Sequence, residues 1–204
     1  MSQFALPLAA GPGASPQRIV VGSANAAVLE AFARAGDWPF RTAILSGPPR
    51  SGKSLLARWF YERGYGHAVD DAWKSDETAL FHLWNRAQES GTPLLLVGRG
   101  EGQWQIALPD LGSRLGAAMQ LEIKAPDDDM VAQLIAAHAE RHGLILGQDA
   151  VSYLVPRCER SHLGIERLVA AIDRLSLERK APPTLSIWRD ALEEILGHSQ
   201  PRLL

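Results

Sequence analysis

Eight residues constrain this chain more than any others. Gly47-Pro48-Pro49-Arg50-Ser51-Gly52-Lys53-Ser54 satisfies the pattern G-x-x-x-x-G-K-[ST] at every fixed position. An apolar run, Thr42-Ala43-Ile44-Leu45, precedes it, and a helix-like run opening with Leu55 and Leu56 follows it. That order of strand, glycine turn and helix start is the context the pattern needs. The amides of residues 47–55, Pro48 and Pro49 aside, and the positive end of the helix then face phosphate oxygens. Lys53 would neutralise the β- and γ-phosphates, and the Ser54 hydroxyl would hold magnesium. The bland alternative is a glycine-proline turn ahead of an ordinary helix.

Composition narrows the setting. With 204 residues the chain can bury a substantial core as one domain or as a core with a small satellite. Lys plus Arg number 21 and Asp plus Glu 23, a net charge of −2, so no global field draws the protein to nucleic acid or to a membrane. The single cysteine, Cys158, excludes an internal disulfide framework and a cysteine metal cluster. No apolar run has the length of a membrane span, and the first residues lack the basic start of a signal peptide, which points to a cytoplasmic protein.

Read in order, the chain opens on Gln3-Phe4-Ala5-Leu6-Pro7-Leu8, too short for a helix or a strand pair, followed by the breaker segment Gly11-Pro12-Gly13-Ala14-Ser15-Pro16. An apolar peptide on a flexible tether either docks on its own domain or is a ligand for a partner's groove. The turn at Val20 and Val21 can wall an adenine ring or belong to a core. Further on, Gly66-His67-Ala68-Val69 runs into Asp70 and Asp71. Paired acids at a strand end beside a phosphate loop suit magnesium held through water by the first and a water polarised by the second; a helix cap or solvated turn is the other reading.

The run Leu94-Leu95-Leu96-Val97 reads as a central parallel strand covered on both faces. Arg99 follows its carboxyl end, where open α/β sheets take ligands. A short helix around residues 108–115 and a strand at 119–123 complete the α/β part. From Pro126 the pattern is helical only, with an acidic first turn at Asp127-Asp128-Asp129 and further helices near 148–158, 163–179 and 184–196.

Four stretches together resemble the DnaA branch of the AAA+ ATPases. Val20-Val21-Gly22-Ser23-Ala24-Asn25 is similar to the segment bordering adenine there, residues 47–54 to its phosphate loop, and Asp70-Asp71 to its Walker B pair. Leu108-Pro109-Asp110-Leu111-Gly112-Ser113-Arg114-Leu115 resembles the box whose arginine reaches a neighbouring subunit's nucleotide. A fifth, the peptide of residues 3–8, resembles the sliding-clamp ligand of the Hda-type subfamily.

The resemblance implies an AAA+ P-loop NTPase core with a parallel sheet, residues 18–124, a small all-helical lid, 125–204, and a clamp-binding peptide with linker, 1–17. It implies ADP or ATP with Mg2+ as cofactors. The expected nucleotide contacts are Val20, Val21, Gly47, Pro48, Pro49, Arg50, Ser51, Gly52, Lys53, Ser54 and Leu55, with Arg160 or Arg167 as a second sensor. Ser54 and Asp70 would serve the metal, and Asp71 and Arg114 the chemistry. Gln3, Phe4, Leu6, Pro7 and Leu8 would bind the DNA polymerase III sliding clamp, DnaA would be a second partner, and a homodimer is allowed.

The implied function is regulation of replication initiation by promoting ATP hydrolysis on DnaA. The alternatives are a nucleotide-gated clamp and initiator binding module without a hydrolytic role, and a loader-type replication ATPase. Two departures from the family pattern carry expectations of their own. The short interval from Lys53 to Asp70 leaves no room for one strand and helix, so an edge strand should be missing from the sheet. The polar sensor expected after the 94–97 strand is replaced by Gly98-Arg99.

Overall fold

The computed structural model describes the chain at residues 5–7, 18–100 and 104–199. Two compact units emerge: Ala24–Lys124, and a second made of the residues on either side of it, the boundary after Lys124 falling where the sequence pattern changes.

The first unit is built on strand β3 (Thr42–Ser46), which lies between β5 (Leu94–Val97) and β6 (Met119–Glu122), with β4 (His67–Val69) on the far side of β5. All three pairings are parallel, and Ile44 sits opposite both Leu96 and Gln120. β5 is buried at every residue, as its uninterrupted apolar sequence requires of a strand covered on both faces. Among the described residues β4 is the edge, and no strand lies beyond it where the short interval after Lys53 left no room for one.

Alternation along β5 divides the core. Leu94 and Leu96 join Leu80, Trp84 and Ala87 of α3 (Glu77–Ser90) and Leu111 and Leu115 of α4 (Pro109–Gly116). In the same unit α1 (Ala26–Phe32) and α2 (Lys53–Glu62) meet through aromatics: the rings of Phe32 and Phe60 contact edge to face at 5.0 Å, and Trp38 stacks on Phe60 at 5.5 Å. Asp76 caps α3 by accepting the Ala79 amide at 2.7 Å.

The second unit is helical. It comprises α5 (Asp128–His142), α6 (Gln148–Leu154), α7 (His162–Arg179) and α8 (Leu185–Ser199). Its core gathers Val131 and Ile135, Leu154, Ile165, Leu168 and Ile172, and Ile187 and Leu192, one stripe from each helix. Asp127 caps α5 through the Met130 amide at 2.9 Å, and its carboxyl is held below the usual range by bonds from the Ser23 hydroxyl and that amide.

Two short strands belong to this second unit. β1 (Ala5–Pro7) pairs antiparallel with β2 (Arg18–Val20), Leu6 opposite Ile19. The expectation that the amino-terminal peptide is too short for a strand pair is corrected here: three residues suffice because β2 is itself packed on α5. Residues 18–23, expected with the phosphate-loop core, likewise group with the helical unit. Gly22 explains why: a Cβ there would lie 3.0 Å from the Met130 side chain of α5.

Candidate functional site

The loop of residues 47–54 joins β3 to α2, and its geometry follows from its glycines. Gly47 has φ 151° and Gly52 φ 89°, backbone that other residues adopt only under strain. A Cβ on Gly47 would also stand 2.9 Å from Ile123 Cβ and 3.0 Å from the Ile123 carbonyl oxygen. The turn is thus closed against the residue just past β6 by a contact that only hydrogen permits. Arg50 takes φ 63°, and the Ser51 amide closes the turn on the Pro48 carbonyl at 3.3 Å.

Gly52 caps α2 without a side chain, so the first amides of a helix ten residues long open onto the loop. Ser51 is buried, and its Oγ has no hydrogen-bond partner among the described residues. Pro48 and Leu55 are half-buried, whereas Pro49, Arg50 and Ser54 are exposed.

Lys53 folds back along the loop. Its Nζ donates to the carbonyl oxygens of Gly47 and Pro48, both at 2.8 Å. Burial lowers its pKa, and the nearby charges of Asp70 and Asp71 partly offset that. The ammonium therefore sits over the loop in a site that only partly satisfies it, with anionic charge as its natural complement.

Asp70 and Asp71 leave the end of β4. The Asp71 amide donates to Asp70 Oδ1 at 3.0 Å, and Lys74 Nζ donates to Asp71 Oδ2 at 2.6 Å. Asp71 takes φ 47°, strained backbone of the sort concentrated at working sites. Its bond from Lys74 holds the carboxyl below the usual range, which favours a charged acceptor over a strong base.

Opposite them the chain leaves β5 through Gly98-Arg99-Gly100. The Gly98 amide extends the ladder by donating to the Leu45 carbonyl at 2.9 Å. A Cβ on Gly100 would fall 2.9 Å from the Gly47 carbonyl oxygen and 3.4 Å from Lys53 Nζ, so this exit lies directly on the loop of residues 47–54. Gly100→Ala is expected to displace the loop and to cost about 1–3 kcal/mol in overpacking. A melting temperature equal to wild type would show that the contact yields freely.

Arg114, in the last turn of α4, is held on α3. Its Cζ lies 4.3 Å from the Phe81 ring centroid and 4.4 Å from that of Trp84, and Nη1 donates to Asn85 Oδ1. The Glu77 carboxylate sets the approach of α4 by accepting the amides of Ala107 and Leu108 at 2.9 and 2.6 Å.

The remaining expected residues belong to the helical unit. Val20 and Val21 are half-buried there. Arg160 pairs with Asp128 at 2.8 Å just ahead of α7, and Arg167 lies exposed within α7. Leu6 and Pro7 fall in β1, while Gln3, Phe4 and Leu8 lie outside the described residues. Sequence reasoning missed Trp73, Trp104 and Gly100. Trp73 stands three residues past the first acid and Gly100 flanks Arg99, which was the available signal.

No family model matches the sequence. Among solved structures, domain III of the Thermotoga maritima replication initiation protein DnaA is similar at a TM-score of 0.68 and 13% identity, over 87% of this chain and 94% of that one. The fold is that of the AAA+ P-loop ATPases. The Thermotoga maritima RuvB Holliday junction branch migration motor shares it at a TM-score of 0.59 and 16% identity, over 85% of this chain and 69% of that one. DnaA from Aquifex aeolicus in its AMPPCP-bound form matches at 0.57 and 15%, over 79% and 66%. Within the AAA+ fold the loop of residues 47–54, the acids after β4 and Arg99 after β5 all stand at carboxyl ends of parallel strands, where such sheets take their ligands.

Proposed function

We propose that the chain binds ADP or ATP through residues 47–55 and acts as a DnaA-related regulator of replication initiation, of Hda type. The observation that carries the nucleotide reading is Lys53. Its ammonium caps a loop whose two glycines adopt positive φ; among the described residues it donates to that loop's own carbonyls, and the charges of two acids lie nearby. Phosphate oxygens would give it anionic partners, and the loop amides with the start of α2 would add donors.

Ser54 and Asp70 fit magnesium as it travels with nucleotides. Both are exposed and offer the hard oxygen donors the ion takes, and among the described residues no three His, Cys, Asp or Glu side chains gather into a cage of their own. Ser54 and Asp70 would hold the ion, which would supply positive charge against the phosphates. Asp71 would then orient water from its Lys74-bound position.

Lys53→Ala tests the reading by calorimetry. Loss of a charge-assisted bond of about 1.5–3 kcal/mol is expected to weaken nucleotide binding by roughly 10- to 150-fold. Equal affinity in variant and wild type would overturn it.

The regulatory half of the proposal assigns the peptide of residues 3–8 to the polymerase III sliding clamp and Arg114 to the nucleotide of DnaA. The fold likeness to DnaA and the position of Arg114 in the last turn of α4 support it. A second reading, a module that bridges clamp and initiator without aiding hydrolysis, is favoured by the anchoring of Arg114 on Phe81, Trp84 and Asn85.

A further inference from the structure

Two adjacent residues other than glycine, Phe40 and Arg41, hold positive φ, 50° and 45°. Such backbone persists only where its neighbours enforce it. Here the Phe40 carbonyl accepts the Thr42 hydroxyl at 2.8 Å and the Gln88 side-chain amide at 2.7 Å, while Arg41 donates its backbone amide to the Trp38 carbonyl at 2.8 Å and Nη1 to the Gly91 carbonyl at 3.0 Å. Burial does not account for the strain, because Phe40 is 55% exposed. The turn holds out a phenyl ring. That ring lies 6.3 Å from Trp84, and Trp84 also carries the Arg114 guanidinium. Among the described residues Arg114 contacts two rings and the neutral Asn85 side chain, and pairs with no carboxylate. Phe40 stands at the amino end of β3 and Arg114 in the helix that leads into the amino end of β6, whereas the loop of residues 47–54 leaves the carboxyl end of β3. Roughly 13 Å of strand separates the two ends, so the anion Arg114 would meet is not the nucleotide of its own chain.

We propose that Phe40 is the apolar anchor by which this end of the α/β unit docks the protein that receives Arg114, its ring entering a hydrophobic pocket beside the anionic group that takes the guanidinium. The inference rests on the regulatory reading above, in which that anion is the nucleotide of DnaA. Aromatic side chains and arginine dominate the buried centres of protein interfaces, and a ring whose backbone is already fixed loses little freedom on binding. The uncompensated charge of Arg114 sets the sign of what lies opposite. A second copy of the chain is a poorer complement, because two such faces apposed about a two-fold axis would bring Arg114 toward Arg114.

The test titrates the full chain into ATP-bound DnaA with clamp-loaded DNA, following both binding and hydrolysis. Phe40→Ala is expected to raise the dissociation constant, and the concentration for half-maximal hydrolysis, about 10- to 100-fold, with the rate recovered at saturation. Arg114→Ala should instead lower the rate at saturation. Phe40→Gly separates docking from packing. Glycine takes the φ of position 40 without strain, so this variant should melt no lower than Phe40→Ala and bind as weakly, and it carries the test if Phe40→Ala folds poorly. Wild-type affinity in both Phe40 variants overturns the inference and leaves the regulatory reading in place. Sedimentation that shows Phe40→Ala turning a wild-type dimer into monomer, with DnaA binding unchanged, seats a second copy on this face and also overturns it. If wild type binds DnaA without speeding hydrolysis, the dissociation constants alone decide. Wild type that does not bind DnaA at all overturns the regulatory reading and the inference together.

Discussion

Arg114→Ala is expected to slow ATP hydrolysis by DnaA, measured with clamp-loaded DNA and this protein present, by a factor of about 10³ or more. An arginine supplied from a neighbouring subunit is worth about 10³–10⁵ in rate in P-loop enzymes, because it meets charge that develops only in the transition state. The resting contacts of Arg114 make the result informative. The side chain lies on the rings of Phe81 and Trp84 and bonds Asn85, so its removal strips a face of α3. At this half-buried site two cation–π contacts are worth about 0.5–2 kcal/mol each, a small loss beside the change expected in rate. A variant that melts slightly lower but hydrolyses DnaA-bound ATP at the wild-type rate would make Arg114 a packing residue and leave the bridging module as the reading. Arg114→Lys sharpens the distinction, since lysine keeps the charge and cannot reproduce the planar fork.

The α/β core was legible because its signals are local and mutually consistent. Leu94 to Val97 read as a covered strand, Gly47 and Gly52 marked a turn between strand and helix, and the missing edge strand followed from the interval between Lys53 and Asp70. Contacts between distant segments were not legible. Nothing in Val20-Val21-Gly22-Ser23 announces that Gly22 would be pressed against Met130 or that Ser23 would bond Asp127, and those contacts tie the segment to the helical unit. Trp73 reads in sequence as one more aromatic before a helix. Only the fold brings it beneath Arg99, which lies 26 residues further along the chain (99 − 73). The aromatic group of Phe32, Trp38 and Phe60 was invisible for the same reason, since each ring belongs to a different local element.

Replacing Leu6 and Leu8 together by alanine is expected to weaken binding to the sliding clamp by about 10²–10⁴-fold. Burying a leucine is worth about 1.5–3 kcal/mol, and the proposed ligand peptide relies on two of them. The pairing of Ala5–Pro7 with Arg18–Val20 bears on this, because a strand held on β2 must leave it to enter a partner's groove. β2 stays packed on α5 when β1 leaves, and only three residue pairs join the two strands, so the release costs little against the leucine contacts. Pro7 lessens the ordering cost by restricting the free peptide before it binds. In a homodimer two peptides could engage one ring and gain a further 10²–10⁴-fold or so in avidity if the linkers span its pockets. The double variant should therefore lose the clamp while keeping nucleotide affinity and melting temperature. If it melts clearly lower and still binds the clamp, β1 is a strap for β2, and the Hda-type reading loses its most specific support.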